Sequence, residues 1–373
     1  MKKIVLSANT SWYLFNFRQS TIRAFQNHGF RVVCLSPKDN YTHKLVDELG
    51  CQWFEIKMDN KGMNPIKDFI LLFHLIRLYK KVKPIAAFNF TVKNNIYGTW
   101  ACHINKIKPI NNVSGMGTAF IKNNLTSKFV KLLYKLSQPF AYKVFCQNPD
   151  DYNFLIEKNL VDSKKLTLLP GSGVNINKFH PSLKIRKVPQ KNFRFLFIGR
   201  MLGDKGVREL VSAAEKLNNI GYTFTLDLCG SASDKNRSAL SPEELKKYSL
   251  LPFIRWTQHS DFIEKFYANA DCIVLPSYRE GMPRVLLEAG AMGIPSITTN
   301  VPGCRHIISH QYNGFLCEPQ SIDSLCEQMQ NMLEIDNETY IKMSENSRVR
   351  VEEHYDEKIV VKHSLEAVKN LLP

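Results

Sequence analysis

Apolar residues along this chain fall into short runs that alternate with segments of helical spacing. Helical patterns lie between most of the runs, for example at 205–219 and 283–292, and two more at 321–335 and 356–371 close the chain. Strands and helices that alternate in this way predict an α/β fold with parallel sheets covered on both faces. The predicted strands are 3–7, 31–36, 52–56, 85–89, 109–113, 143–146, 166–169, 193–198, 223–229, 253–256, 272–276 and 295–299.

The length of the chain indicates two domains, because 373 residues exceed what one hydrophobic core usually organises. Segment 180–192 carries two prolines and no clear period, which is typical of a linker. We therefore expect two doubly wound, Rossmann-like domains, 1–180 and 181–355, that face each other across a cleft, with a helix at 356–373 packing back on the first. Ligands of such folds bind at the carboxyl ends of strands, so the cleft is the expected site.

The composition favours a folded protein of a reducing compartment. Hydrophobic residues make up 44% of the chain, and the nine cysteines are scattered without a C-x-x-C pair. Such a pattern argues against disorder, disulfides and structural zinc. The apolar opening run is too short for a signal peptide, and no run approaches the ~20 apolar residues that span a bilayer. We expect a chain that is soluble or peripheral to a membrane.

The positive charge is concentrated in the first half. Residues 1–180 hold 26 Lys and Arg against 10 Asp and Glu, whereas the remainder holds 24 of each. Two helical patterns, 68–81 and 125–138, combine apolar positions with basic residues, as do helices that lie on anionic lipid. Core-facing helices with solvated lysines are the alternative, and nucleic acid is less favoured because no recognised binding module accompanies the charge. The residues predicted to meet a membrane are Arg77, Lys80, Lys81, Lys128, Lys131 and Lys135.

Two carboxylates eight residues apart mark the first candidate ligand site. Glu280 follows an apolar run, and Glu288 lies about two turns into a helical pattern that begins near Pro283. Met282 stands where a capping Ser, Thr, Asp or Asn is usual, and an uncapped helix start favours a phosphate. A nucleotide sugar, with hydroxyls on both sides of its diphosphate, fits this spacing. A solvated loop Glu and an ordinary helix Glu are the alternative.

Two cations form a second candidate site about 80 residues earlier. Arg200 and Lys205 follow the carboxyl end of the strand 193–198, and a guanidinium fork with a mobile ammonium suits a diphosphate. Cations there would stabilise a nucleoside diphosphate as it leaves, although a loop with two solvated cations is the alternative. In the first half, the sequence 114–117 carries two glycines after a strand, so its backbone could approach an acceptor closely; a plain tight turn is the alternative.

These motifs resemble family 4 of the retaining, GT-B-fold glycosyltransferases. The similarity runs in order over 195–320 through Gly199-Arg200…Lys205-Gly206, Glu280-x7-Glu288, Pro302-Gly303-Cys304-Arg305 and Asn313-Gly314-Phe315-Leu316. In the first half, Tyr13-Leu14-Phe15-Asn16-Phe17-Arg18 and Val113-Ser114-Gly115-Met116-Gly117 resemble bacterial members that act on undecaprenyl-diphosphate-linked saccharides, including N-acetylgalactosaminyltransferases.

The resemblance implies a role for each matching residue. Arg200 and Lys205 would bind the donor diphosphate, Glu280 the sugar hydroxyls and Glu288 the ribose, so that Glu280, Arg200 and Lys205 are the catalytic candidates. The implied donor-binding residues are Gly199, Arg200, Lys205, Glu280, Gly281, Met282, Pro283, Arg284, Val285 and Glu288. The implied acceptor-binding residues are Arg18, Lys93, Ser114, Gly115, Met116 and Gly117.

The resemblance also implies that no metal and no cofactor are needed, and the chain contains no Asp-x-Asp motif. Three departures from the family pattern matter. The first βα turn, 7–11, lacks a glycine pair, and residues 90–95 contain no His, which leaves Lys93 as the nearest ionisable side chain. In addition, His306 stands where a Glu is common.

The predicted function is transfer of a hexose or N-acetylhexosamine, most specifically GalNAc from UDP-GalNAc in α-linkage, to an undecaprenyl-diphosphate-linked saccharide in surface-glycan assembly. The enzyme would work in the cytoplasm, peripheral on the inner face of the cytoplasmic membrane. Two alternatives stay open at this point. One is a sugar-nucleotide epimerase of the same fold, and the other is a non-enzymatic basic protein that binds membranes or nucleic acid.

Overall fold

The computed structural model describes residues 1–59, 64–116, 125–189, 191–232, 238–258, 260 and 262–372. The chain divides into two compact units. Unit 1 comprises Met1–Ser172 together with Glu357–Pro373, and unit 2 comprises Gly173–Asp356.

Unit 1 is built on a seven-stranded parallel sheet in the order β3-β2-β1-β4-β5-β6-β7 within the described residues. Its strands are β1 (Lys3–Ser7), β2 (Arg31–Ser36), β3 (Gln52–Glu55), β4 (Ala86–Phe90), β5 (Lys108–Val113), β6 (Lys143–Cys146) and β7 (Leu166–Leu168). The helices are α1 (Ser11–Asn27), α2 (Thr42–Asp47), α3 (Pro65–Val82), α4 (Thr99–Ile104), α5 (Leu125–Ser137) and α6 (Pro149–Glu157), and a π-helix (Asn94–Gly98) precedes α4.

Alternate residues of β1 explain why this sheet is covered on both faces. Ile4 and Leu6 lie in one apolar cluster, Val5 lies in another, and all three are fully buried. A strand whose two faces are both apolar is stable only when helices cover each side of the sheet. The near-continuous apolar runs in the sequence follow from this burial.

Unit 2 repeats the plan with a six-stranded parallel sheet in the order β10-β9-β8-β11-β12-β13 within the described residues. Its strands are β8 (Phe193–Ile198), β9 (Phe224–Cys229), β10 (Ile254–Thr257), β11 (Cys272–Leu275), β12 (Ser296–Thr299) and β13 (Gly314–Cys317). Its helices are α7 (Val207–Asn219), α8 (Pro242–Tyr248), α9 (Glu264–Ala268), α10 (Arg284–Ala291), α11 (Cys304–Ile307), α12 (Ile322–Glu334) and α13 (Asn337–His354). The predicted fold class, two doubly wound α/β domains, is confirmed.

The C-terminal helix α14 (Glu357–Lys369) belongs to unit 1 although it follows the whole of unit 2 in sequence. Val360, Ala367 and Val368 are buried in the same apolar cluster as Leu14 and Ile22 of α1. The helix therefore completes the cover over one face of the first sheet.

Segment 180–192, whose prolines suggested a linker, is packed onto unit 2. The Nε of Arg186 donates to both carboxylate oxygens of Asp271, at 2.9 and 3.0 Å, and Lys184 Nζ donates to the backbone oxygen of Gly293 at 3.0 Å. Both basic side chains are buried. Because two of its thirteen residues are buried charged groups, this segment is part of the folded unit.

Lys184 should make the stability of the protein depend on pH in the alkaline range. Burial lowers the pKa of this ammonium from 10.5 to about 8, although the nearby Asp271 acts in the opposite direction. Between these values the unfolded chain binds more protons than the folded one, so the contribution of Lys184 to the free energy of unfolding rises with pH by up to about 3 kcal/mol. Urea unfolding of wild type and Lys184→Met from pH 7 to 10 tests this.

The expected result is that the free energy of unfolding of wild type rises relative to that of Lys184→Met as the pH increases. Lys187→Met is the matched control, because Lys187 is exposed three residues further along the chain. A difference between wild type and Lys184→Met that stays constant from pH 7 to 10 would contradict the prediction.

Candidate active site

The centre of the second sheet brings two predicted ligand loops to one edge. β8 and β11 are neighbours, with Phe195 opposite Cys272, and the chain leaves the sheet in opposite lateral directions after them. Ligands of doubly wound folds bind at such a switch point, beyond the carboxyl ends of the strands. Segments 199–206 and 276–283 both begin there.

Glycines hold these loops in backbone contact. Gly206 has φ +70°, and a Cβ at this position would lie 2.1 Å from the carbonyl oxygen of Pro276. Gly303, with φ +84°, would place a Cβ 2.6 Å from the oxygen of Gly281. In addition, Tyr278 N donates to Asp204 O at 3.0 Å. Only glycine allows so close an approach, so these positions fix where the side chains of the neighbouring loops lie.

Lys205 and Glu280, two of the three predicted catalytic residues, contact each other at this edge. The Lys205 ammonium forms an ion pair with Glu280 Oε1, and the two side chains are only 19% and 13% exposed. The Ser277 hydroxyl donates to the same carboxylate oxygen at 2.7 Å. The Thr299 hydroxyl in turn donates to the backbone oxygen of Ser277. The Glu280 carboxylate is therefore held by Lys205 from segment 199–206 and by Ser277 from its own loop, and Thr299 at the end of β12 contacts the backbone of that loop.

Glu288 is held separately on α10. Its Oε1 lies 3.0 Å from Arg284 Nη2, and its Oε2 accepts a hydrogen bond of 2.9 Å from the Tyr267 hydroxyl. Burial, assisted by the neighbouring carboxylate, raises the pKa of Tyr267 well above its ordinary value, so this phenol remains a hydrogen-bond donor. The two carboxylates thus occupy distinct environments, one in the loop and one on the helix.

The start of α10 differs by one residue from the predicted start. Pro283 is the N-cap rather than the first helical residue, its backbone is extended, and no side chain within the described residues caps the helix. The absence of a capping side chain agrees with the sequence. Met282 and Val285 pack against the apolar core, and the backbone oxygen of Gly281 lies against Gly303.

Arg200 is not joined to the Lys205–Glu280 pair. It is exposed directly after β8, where Gly199 N donates to Cys229 O at 3.0 Å. Across the described residues, no carboxylate pairs with its guanidinium. A solvent-facing cation at the switch point is chemically able to bind an anion that enters from solution.

Sequence reasoning missed the residues that orient the predicted ones. Ser277 lies inside the Pro276–Glu280 motif, so its hydroxyl could have been named from the sequence. Tyr267 could not, because it comes from another helix 21 residues before Glu288 and no local pattern connects the two. Tyr278 also orients the loop, since its hydroxyl donates to Glu209 at 2.5 Å.

In unit 1 the predicted acceptor residues Arg18 and Ser114 are connected through a residue not predicted, Tyr13. Arg18 Nη2 donates to the Tyr13 hydroxyl at 2.9 Å, and the Tyr13 hydroxyl lies 2.9 Å from Ser114 Oγ. Gly115 has φ +120°, and Met116 N donates to Asp151 Oδ2 at 2.9 Å. Gly117 lies outside the described residues. Tyr13 stands in the same sequence motif as Arg18, which was the signal available for it.

Lys93, the sixth predicted acceptor residue, belongs to a different cluster. Its ammonium lies 2.5 Å from Asp68 Oδ1, and the Tyr97 hydroxyl donates to Asp68 Oδ2 at 3.1 Å. Burial and the Asp68 carboxylate raise the pKa of Tyr97. Thr91, two residues before Lys93, has φ +73°, a strained conformation for a β-branched residue. An ion pair with Asp68 therefore holds Lys93 against α3.

The predicted membrane residues lie on α3 and α5, whose outer sides are also apolar. Arg77, Lys80, Lys81, Lys128 and Lys135 are exposed and Lys131 is half-buried. The inner sides of both helices pack into one apolar cluster, which places them on the same face of the sheet. The large apolar side chains exposed on these helices are Ile66, Phe69, Ile70 and Phe73 on α3 and Leu125, Phe129, Leu132 and Leu136 on α5.

Within the described part of the chain, no helix combines the length and apolar character needed to cross a membrane. Among the same residues, no cluster of three or more His, Cys, Asp or Glu side chains could hold a metal ion.

Two family models match consecutive parts of the chain. The model for "Glycosyl transferase 4-like" matches residues 3–148, and that for "Glycosyl transferases group 1" matches residues 181–350. The chain is 28% identical over 366 residues to the N,N'-diacetylbacillosaminyl-diphospho-undecaprenol alpha-1,3-N-acetylgalactosaminyltransferase of Campylobacter jejuni, covering 94% of each chain. It is also 28% identical over 308 residues to the UDP-Gal:alpha-D-GlcNAc-diphosphoundecaprenol alpha-1,3-galactosyltransferase of Escherichia coli, covering 78% of this chain and 76% of that one.

Solved structures show the same fold. HepE of Anabaena in complex with UDP-glucose matches with a TM-score of 0.81 at 17% identity, over 99% of this chain and 100% of that one. A glycosyltransferase of Rickettsia africae matches with a TM-score of 0.77 at 20% identity, over 99% and 98%. Together with the two family models and the relatives, the two parallel-sheet units identify the chain as a glycosyltransferase of the GT-B fold.

Proposed function

We propose that this protein is a retaining glycosyltransferase that moves an N-acetylhexosamine or hexose from a UDP-sugar to an undecaprenyl-diphosphate-linked saccharide. GalNAc from UDP-GalNAc, transferred in α-linkage, is the donor we favour. The names of the Campylobacter and Escherichia relatives support this acceptor class, and the first of them, which is similar along nearly the whole chain, supports GalNAc. The product would serve the assembly of a surface glycan.

The contact between Lys205 and Glu280 at the switch point of unit 2 carries the proposal. An ammonium has three hydrogens, so Lys205 can keep its contact with Glu280 and still donate to a diphosphate oxygen. The donor sugar would then lie beside the Glu280 carboxylate, which accepts from its hydroxyls. As the bond to the sugar breaks, the diphosphate gains negative charge, and Lys205 with Arg200 stabilises that charge more in the transition state than in the ground state.

The surroundings of Glu288 support its proposed contact with the ribose. Arg284 and Tyr267 each occupy one of its oxygens, whereas a carboxylate can accept about four hydrogen bonds. Lone pairs therefore remain for the two ribose hydroxyls. The uncapped start of α10 lies four residues before Glu288, close enough for its dipole to favour the adjoining phosphate.

A panel of donors tests the proposal directly. UDP-GalNAc, UDP-GlcNAc, UDP-Gal, UDP-Glc and GDP-Man would each be incubated with a short-chain polyprenyl-diphosphate-linked GlcNAc or N,N'-diacetylbacillosamine, with and without excess EDTA. We expect release of UDP that requires the acceptor, a product with an α-linkage by NMR, and the same turnover with the chelator present.

Three outcomes would overturn the proposal. Conversion of a UDP-sugar to its isomer without acceptor would indicate an epimerase. Vesicle or oligonucleotide binding with no heat on addition of any donor would indicate a binding protein. Transfer only to acceptors that lack a lipid diphosphate would place the enzyme in another acceptor class.

We further propose that unit 1 attaches to the cytoplasmic face of an anionic membrane through α3 and α5. On each helix the exposed apolar side chains recur at intervals of three or four residues, and basic residues accompany them. Helices that lie on a membrane typically insert apolar side chains into the interface while their lysines contact anionic headgroups. Each cation near the surface contributes roughly 1 kcal/mol to the free energy of binding. A membrane-linked acceptor would be reached from this position.

Removing two aromatic side chains from α3 should weaken membrane binding. Phe69 and Phe73 are 61% and 47% exposed. Because partial burial of each ring in the interface contributes on the order of 1 kcal/mol, Phe69→Ser/Phe73→Ser should bind vesicles containing anionic lipid ~10- to 100-fold more weakly in a flotation assay. Phe262→Ser is the matched control, since Phe262 is 62% exposed in unit 2. Equal losses in both variants would argue against the proposed surface.

A further inference from the structure

Within the part of the chain that the structure describes, Arg18 is a buried cation without a counter-ion. It is 2% exposed, and its Nε, also buried, has no hydrogen-bond partner among the described residues. Over the described ranges of unit 1 no carboxylate pairs with it, and the sequence outside those ranges, 60–63 and 117–124, contains no Asp or Glu. Burying an unpaired charge is costly, so such a group indicates that an anion is bound nearby when the protein is at work.

The contacts that Arg18 makes do not neutralise the positive charge of its guanidinium. Its guanidinium lies 4.3 Å from the centre of the Phe90 ring and donates to the Tyr13 hydroxyl at 2.9 Å. An aromatic face stabilises a cation and a phenol accepts its hydrogen, but neither neutralises it. The positive potential therefore extends through Tyr13 to Ser114 Oγ, 2.9 Å from the Tyr13 hydroxyl.

These residues meet at the switch point of the first sheet. β1 and β4 are neighbours there, α1 with Tyr13 and Arg18 follows β1, and Phe90 ends β4. Ser114 follows β5, the strand next to β4. Tyr13 and Ser114 are half-buried, so a ligand can reach their hydroxyls, whereas Arg18 lies behind them. This is the edge at which doubly wound sheets bind ligands.

We propose that the Tyr13 and Ser114 hydroxyls bind a diphosphate oxygen of the lipid-linked acceptor, and that Arg18 is the positioning residue behind them. Because Arg18 occupies one lone pair of the Tyr13 oxygen, the Tyr13 hydrogen points away from the guanidinium. It is directed to Ser114 in the free protein and to the phosphate oxygen in the complex. This inference rests on the proposed acceptor class and assigns the part of that acceptor which unit 1 recognises.

Calorimetry with farnesyl diphosphate tests the site without relying on turnover. Saturating UDP occupies the donor site first, so that the added diphosphate reports on a second one, and farnesol serves as the ligand without phosphate. We expect wild type to bind farnesyl diphosphate at least tenfold more tightly than farnesol. Tyr13→Phe and Arg18→Gln should each weaken binding of the diphosphate by about 10- to 100-fold, the effect of losing one charge-assisted hydrogen bond, with UDP binding unchanged.

Arg23→Gln is the matched control, because Arg23 is exposed on the same helix as Arg18. Tyr13→Phe preserves the ring and its packing, so it tests the hydroxyl even if Arg18→Gln is unstable. Unchanged affinity for farnesyl diphosphate in Tyr13→Phe, or equal affinity of wild type for farnesol and its diphosphate, would overturn the inference. Sugar transfer by wild type in that case would leave the proposed function intact, whereas diphosphate binding without transfer would leave the site intact and refute the function.

Discussion

Replacing Glu280 by Gln is expected to lower turnover by about 10²–10³-fold while the protein remains folded. The carboxylate is 13% exposed, accepts from Ser277 and pairs with Lys205, so an amide in its place keeps the shape of the loop and removes the charge. Sugar hydroxyls then lose an ionised acceptor, and Lys205 loses its counter-ion. Steady-state release of UDP measures the effect, and Glu345→Gln, on the exposed side of α13, is the control.

The double variant Lys205→Met/Glu280→Gln separates a role in catalysis from a role in folding. If the ion pair only holds two loops together, removing both charges should restore much of the activity lost in Glu280→Gln, because no unpaired charge is left behind. If both side chains act on the donor, the double variant should have no more activity than the less active of the two single variants, Lys205→Met and Glu280→Gln. Recovery of activity to within tenfold of wild type would remove Glu280 and Lys205 from the proposed mechanism.

The strands and helices that sequence reasoning located are those with an apolar period. β1, β2 and β8 have the predicted bounds, because each contains a buried apolar stretch, 4–6, 32–35 and 195–198. α13 was missed, since most of its eighteen residues are polar and only four are buried. β13 was missed because it begins with Gly314 and offers only Phe315, Leu316 and Cys317 as an apolar run.

The π-helix shows a second limit of reasoning from hydrophobicity. Asn95 is 1% exposed and donates to Asn112 O at 2.9 Å and to the Tyr134 hydroxyl at 3.0 Å. A polar residue that is buried because its hydrogen bonds are satisfied looks, in sequence, like a surface residue. The segment 90–95 was therefore considered only for an ionisable side chain near the ligand, when part of it is interior structure.

The candidate site, too, could be predicted from the sequence in one part and not in another. The charges that a diphosphate and a sugar require could be named from strand ends and motif spacing, because parallel strands deliver their carboxyl ends to one edge. The partners that orient those charges could not, because Tyr267 and Thr299 reach Glu288 and Ser277 from other elements. The ion pair between Lys205 and Glu280 is likewise a consequence of Gly206 packing against Pro276, which only the folded chain reveals.

Replacing Arg200 by Ala is expected to lower kcat/KM by about 10²–10³-fold with no change in stability. Because its side chain is exposed and has no carboxylate partner among the described residues, little folding energy depends on it. The affinity for UDP should fall about tenfold or more, since a charge-assisted contact to the diphosphate is lost. Arg200→Lys should recover part of both effects, because an ammonium keeps the charge but lacks the planar fork of a guanidinium.

Arg255→Ala provides the matched comparison, since Arg255 is also exposed and lies on β10 at the edge of the same sheet. We expect this control to keep the UDP affinity and turnover of wild type. If Arg200→Ala behaved like Arg255→Ala in both measurements, the cation at the switch point would be an ordinary solvated side chain. Lys205, which is already paired with Glu280, would then be the one cation left to neutralise the departing diphosphate. Stabilisation of the leaving group by two cations would no longer be tenable.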